Sequence, residues 1–253
     1  MVAQTTRPLL NGHHAANVLQ DGLYTIDQAI VQTAHRSLFY GHERGVERPV
    51  LIEQIRDVPE ALMLAALDHK QAVHDLYHLN LAQLVDAFIE RNAFYTVMAV
   101  GATGVPLGEM TLTPAQVVAF GEDLCSVIGY LENHHQPFSS VDLTPSSVFI
   151  TCGKRARLTA LAGLLGLHAQ TRHGHFTAPP GDETRALVFS LGATLHFAIS
   201  KWPGIYAQGA PDLMTLHAEV TPELNRVIAR ALALAPTERY ANLAELRQAL
   251  LHL

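Results

Sequence analysis

The sequence predicts an α+β protein of two unequal lobes, a small antiparallel sheet followed by a larger helical body. Three observations point there. Short runs rich in aromatic and β-branched residues fill the first hundred positions. A glycine-rich break, Gly101-Ala102-Thr103-Gly104-Val105-Pro106, follows them. Beyond it, apolar residues recur at helical spacing. A chain of 253 residues suffices for one large domain or two lobes sharing a core. The expected divisions are an N-terminal extension over 1–20, a small lobe over 21–100 and a large lobe over 101–253, with a hinge near 99–104.

In the small lobe, Leu23–Ile30, Ser37–Tyr40 and Pro49–Ile55 read as strands separated by polar turns. Asp57 followed by Glu60 has the capping-box pattern, with Pro59 early enough to be tolerated, so a helix or two short ones should run over Glu60–Leu76. Asn92 opens a turn, and Phe94–Val100 is the clearest strand of the chain.

In the large lobe, Thr113 and Pro114 start a helix whose apolar face carries Val117, Phe120, Leu124, Ile128 and Leu131. Ser146–Thr151 reads as a strand, Gly153 and Lys154 turn the chain, and Arg157–Leu161 is its hairpin partner. Gly166–Gly181 reads as a loop. Asp182–Ser200 is apolar nearly all round, the mark of a core helix. Thr221-Pro222 opens another helix, which Pro236 stops, and Asn242 with Glu245 caps the last one. Two differently built lobes leave a cleft between them, where ligand sites tend to lie.

Composition narrows the function classes. Hydrophobic residues make up 49% and charged residues 16%, against about a quarter charged in an average protein, which excludes a disordered chain, a collagen and a coiled coil. Cys125 and Cys152 cannot form a disulfide scaffold. A net charge of -6 with 17 basic residues argues against a nucleic-acid partner. The N-terminus lacks the apolar run of a signal peptide, and Ala186–Ile199 is too short to span a bilayer. A soluble, cytoplasmic chain without direct membrane insertion is expected, and a longer parent protein stays open. None of the fifteen histidines forms HxxxH or HExxH on a helix, and His173 with His175 is the one pair worth testing for a metal. GxSxG is absent, and the GATG glycines do not lie between a first strand and a helix.

Several fragments then carry a resemblance. Val141-Asp142-Leu143-Thr144-Pro145-Ser146-Ser147-Val148-Phe149-Ile150 resembles the catalytic loop HRDLKPSNILL of eukaryotic-like serine/threonine protein kinases. Phe189-Ser190-Leu191-Gly192 is similar to the core-helix YSLG of that family, and Ala231–Tyr240 to its late ALxxDPxxRY segment, with Pro236 and Arg239 retained. Leu76–Leu81 followed by Asp86-Ala87-Phe88 resembles the LxHPNIV and DxF passage. The fragments fall in the family's order from about residue 20 to the end, with the flavour of bacterial signalling kinases. The implied fold is the two-lobed kinase fold.

The same resemblance implies a loss of chemistry. Phosphoryl transfer needs a metal, a lysine on the phosphates, a base and a backbone cradle. Val50-Leu51-Ile52-Glu53 takes the place of the VAIK strand, so the lysine becomes Glu53, and the helix glutamate that pairs with it falls near His69. Val31–Ser37, where the glycine loop belongs, has no glycine; its Arg36 is the only cation there to face a phosphate. Ser140 and Val141 replace the histidine and arginine before the base, Thr144 the loop lysine and Ser147 the metal-binding asparagine. Ala160-Leu161-Ala162-Gly163 replaces the DFG triplet, so no aspartate is left to hold magnesium. Leu187 replaces the core-helix aspartate, and Ala178-Pro179-Pro180 the APE motif, which leaves Arg239 to seek Asp182 or Glu183. Asp142 alone keeps its identity, as a catalytic base or as a cap on local backbone N–H groups.

Three functions follow as alternatives. The first is a pseudokinase, a regulatory or protein-binding module with weak or no Mg-ATP binding and no cofactor. The second is an atypical kinase or nucleotidyl transferase built on Asp142. The third is a receptor holding a small molecule in the altered cleft.

Overall fold

A computed structural model describes residues 17–99, 104–134, 143–167, 174–179 and 185–253. The small lobe is a six-stranded antiparallel sheet in the order β1-β2-β3-β4-β6-β5. Its strands are β1 (Val18–Leu19), β2 (Tyr24–Gln32), β3 (Arg36–Glu43), β4 (Arg48–Ile55), β5 (Gln83–Glu90) and β6 (Ala93–Ala99). The three strands read from the first 55 residues are all present. β5 is an addition: a bulge between Leu84 and Asp86 breaks the alternation of its inward residues and so hides it from a period-two reading. The β5–β6 turn places Arg91 and Asn92 at φ 50° and 59°, the paired left-handed geometry of a two-residue hairpin.

Both faces of the sheet are covered. One buries Leu38, Leu51, Ile55, Phe94 and Met98 toward the main core, and the other buries Tyr24, Phe39, Ile52, Phe88 and Tyr95. On that second face Tyr24, Phe88 and Tyr95 stack with centroids 6.0 and 5.2 Å apart.

The stretch after β4 forms two short helices, α1 (Glu60–Asp68) and α2 (Lys70–His74), broken at His69. The capping box expected at Asp57 does not form. α1 starts at Pro59 with no side-chain cap, and Asp57, at φ 57°, turns back to His35 instead.

In the large lobe, α3 (Pro114–His134) opens on a reciprocal box: the Gln116 amide donates to Thr113 Oγ1 at 3.3 Å and the Thr113 amide to Gln116 Oε1 at 3.0 Å. β7 (Val105–Pro106), β8 (Val148–Ile150) and β9 (Ala156–Leu158) form a second small sheet. The expected hairpin is therefore shorter than Ser146–Thr151 and Arg157–Leu161. Ser146 and Ser147 belong to a turn, and Leu161 starts the buried turn of helix α4 (Leu161–Leu164).

Helix α5 (Ala186–Ser200) is the axis of the lobe, its Val188, Leu191, Leu195 and Ala198 all fully buried. Of the helix expected over Asp182–Ser200, residues 182–184 lie outside the described residues. Short α6 (Leu213–Leu216) precedes α7 (Pro222–Ala231), capped by Thr221, and α8 (Leu243–Leu251), capped by Asn242. At the expected lobe boundary Gly104 is described and residues 100–103 are not.

Candidate functional site

The interlobe site starts with the turn from β2 to β3. Thr33 Oγ1 donates to the Arg36 carbonyl at 2.9 Å and accepts from the Arg36 amide at 3.0 Å. Arg56, just past β4, staples the turn from the neighbouring strand. Its Nε donates to the Ala34 carbonyl at 3.0 Å, and its Nη2 donates to the Thr33 carbonyl at 2.5 Å and to Ser37 Oγ at 3.0 Å. The exposed His35–Asp57 pair, at 2.8 Å, adds a second brace. The Thr33 and Arg36 amides are thus taken within the turn, by the Arg36 carbonyl and Thr33 Oγ1, and its carbonyls are held by Arg56.

Beneath that turn lies a buried ion pair. Arg36 and Glu53 reach one face because Leu38 and Glu53 are opposite each other across β3 and β4, and Arg36 is two residues from Leu38. Arg36 Nε donates to Glu53 Oε1 at 2.5 Å, with the side chains 3% and 1% exposed. Thr96, opposite Glu53 on β6, donates its hydroxyl to Oε2 at 3.3 Å. Arg36 Nη1 also donates to Ser146 Oγ at 3.1 Å, which belongs to the large lobe. A carboxylate this buried requires both a counter-charge and hydrogen bonds, and it has them.

The facing turn is closed on itself. The Thr144 amide donates to Ser147 Oγ at 2.8 Å, and Ser147 Oγ donates to the Thr144 carbonyl at 3.0 Å. The Ser147 carbonyl accepts from the Thr159 amide and hydroxyl at 2.8 and 3.0 Å. Thr194 of α5 donates its hydroxyl to the Ser190 carbonyl at 2.8 Å and lies 3.4 Å from the Leu143 carbonyl, so the core helix still reaches this turn. Ser147 and Thr144 are 0% and 2% exposed. Next to them Ala160, Leu161 and Ala162 are 6%, 1% and 1% exposed, an apolar floor with no oxygen side chain to offer a cation. Among the described residues no three His, Cys, Asp or Glu side chains cluster to hold a metal ion.

Several expectations are corrected here. His69 takes no part in the site: it is exposed, at the break between α1 and α2, with Nδ1 2.8 Å from the Ala65 carbonyl. Glu53 keeps an ion pair after all, with its cation supplied by the adjacent strand in place of a helix. Arg36 faces this carboxylate and not an open phosphate site. Leu187 is half-buried against the main core.

Arg239 donates from Nε to the Ala233 carbonyl at 2.7 Å and from Nη2 to the Leu234 carbonyl at 2.9 Å, with its guanidinium 4.8 Å from the Phe189 ring. That service to the end of α7 gives the residue a physical role whatever its acidic partner. Pro236 begins the following 3-10 turn, and its carbonyl accepts from Arg185. His175 Nδ1 lies 3.2 Å from the Pro203 carbonyl. Ser140, Val141, Asp142, His173, Pro180, Asp182 and Glu183 lie outside the described residues.

Sequence reasoning missed Arg56, Thr96 and Ser146 as partners in the site. Each depends on strand register or lobe docking, and only Thr96, on a strand correctly placed, carried a signal that pairing arithmetic could have used.

No protein-family model matches the chain, and no curated protein matches it in sequence. Solved structures do match. The kinase domain of Mycobacterium tuberculosis PknI aligns with a TM-score of 0.68 at 17% identity, covering 94% of this chain and 98% of that one. A point mutant of the same PknI domain gives 0.68 at 18%, covering 91% and 95%. The apo form of PpkA-294 gives 0.65 at 18%, covering 90% and 96%. At such identities the likeness carries architecture and not activity: the chain has the two-lobed α+β fold of a protein kinase domain.

Proposed function

We propose that this chain is a pseudokinase: a kinase-like domain without phosphotransferase activity that acts as a regulatory, protein-binding module and binds Mg-ATP weakly or not at all. The supporting observation is the buried Arg36–Glu53 pair. Aligned with the family's lysine, Glu53 repels a triphosphate where a cation should attract it. The cation beside it is already neutralised by that carboxylate, and bringing in a phosphate would strip Glu53 of its partner inside the protein. Ser147 is occupied by the closed turn, and Ala160 offers no metal ligand, so the loss extends over lysine, cradle and metal site together. A domain stripped of these groups acts through its surfaces.

Titration calorimetry with ATP and magnesium tests this. No saturable heat below millimolar nucleotide is expected, and magnesium-dependent binding in the micromolar range refutes it. Phosphotransfer assays should stay at background for the wild-type chain and for Glu53→Lys, since one restored lysine leaves the metal site missing. Transfer by that variant also refutes the proposal.

A further inference from the structure

We infer that Arg36 is an interlobe latch, which ties the sheet of the small lobe to the Thr144–Ser147 turn of the large lobe and holds the lobes closed without a ligand. The guanidinium is a planar fork with donors in fixed directions. Its Nε is committed to Glu53 on the small lobe and its Nη1 to Ser146 on the large lobe, at 2.5 and 3.1 Å. Ser146 Oγ is held in turn 3.1 Å from Thr144 Oγ1, so the latch ends on a braced group and not on a free rotor.

The lobes also meet at the back, through a firm junction. The Leu158 amide donates to the Asn80 carbonyl, the Ala82 amide to the Leu158 carbonyl, and Asn80 Nδ2 to the Ala156 carbonyl, each at 2.8 Å. The Tyr77 amide donates to the Tyr130 hydroxyl of α3 at 3.0 Å. With the back fixed, opening must swing the front, and the front cannot swing without parting Arg36 from Ser146 and admitting water to a buried ion pair. The latch goes beyond loss of catalysis: it concerns the motion of the ligand-free chain, and its test does not depend on nucleotide affinity.

Hydrogen exchange with mass spectrometry on the full chain tests it, using Ser146→Ala and Arg36→Lys. Ser146→Ala keeps the Arg36–Glu53 pair and removes the interlobe bond together with the Thr144 Oγ1 contact inside the turn. Arg36→Lys keeps the charge but not the fork. In both variants, amides of 33–40 and 143–150 should exchange at least several-fold faster, while 78–82 and 156–158 keep the wild-type rate. Unchanged exchange in both front segments overturns the latch, and so does acceleration spread evenly over the chain. Micromolar Mg-ATP binding by the wild-type chain would refute the pseudokinase proposal and leave the latch standing.

Discussion

Arg36 and Glu53 stand on adjacent strands of one sheet, 2.5 Å apart and almost free of solvent, with the cation on β3 and the anion on β4. Removing one member strands the other in a medium that disfavours it. Arg36→Met should therefore lower stability by about 3–5 kcal/mol, whereas Arg36→Met with Glu53→Met should be neutral or up to about 4 kcal/mol more stable than wild type. Denaturant unfolding of the single and double variants checks this. A double variant as unstable as the single would mean that the loss comes from removing these two side chains and not from a stranded buried charge.

A second buried carboxylate braces the hairpin of β8 and β9. Asp123 on α3 is buried, accepts both Nε and Nη2 of Arg155, and takes the Ala156 amide at 3.0 Å. Asp123→Ala leaves that buried amide without a partner, at a cost of about 1–3 kcal/mol. Asp123→Asn, which keeps an acceptor, should lose less. Equal losses in urea unfolding would show that the amide is not the main beneficiary.

Much of this architecture was legible in the residues because it follows from short-range chemistry. β-branched and aromatic runs placed β2, β3, β4 and β6, Thr113-Pro114 and Asn242 placed helix starts, and unbroken apolarity placed α5 at the centre. The failures were tertiary. The bulge in β5 masked its alternation, and Asp57 preferred His35 to a helix amide. In the site, the residue types at 53, 144, 147 and 160 were legible, but their partners were not. Arg36 reaches Glu53 only through strand register and Ser146 only through lobe docking, neither of which local sequence spacing encodes.

Gly192 is where α5 meets α7 most closely. A Cβ there would lie 2.8 Å from the Ala231 Cβ and 3.3 Å from the Ala231 carbonyl carbon. Alanine is the better helix former by about 1 kcal/mol, but overpacking typically costs about 1–3 kcal/mol, and the obstacle here includes helix backbone that cannot rotate aside. Gly192→Ala should thus be destabilising on balance, by about 1–2 kcal/mol. The check is a lower denaturation midpoint at unchanged slope; a higher midpoint would mean that α7 moves away freely.

His196 gives the chain a defined response to acid. It is buried on α5, with Nε2 2.9 Å from the Pro211 carbonyl and Nδ1 3.0 Å from both the Tyr206 and Ser200 hydroxyls. Nε2 therefore carries the proton and Nδ1 accepts. Burial pushes its pKa below the ordinary 6.5, opposed by the Pro211 carbonyl and by Asp212, and assisted by His217. Below 6.5 the unfolded chain takes up a proton that the folded chain refuses, so its contribution is complete above 6.5 and is lost as the pH falls toward the depressed folded value. His196→Gln should be less stable than wild type at pH 7 yet lose less between pH 7 and 5. Melting temperatures of the two proteins across that window measure the difference directly, and parallel curves would mean that His196 does not contribute to the acid response.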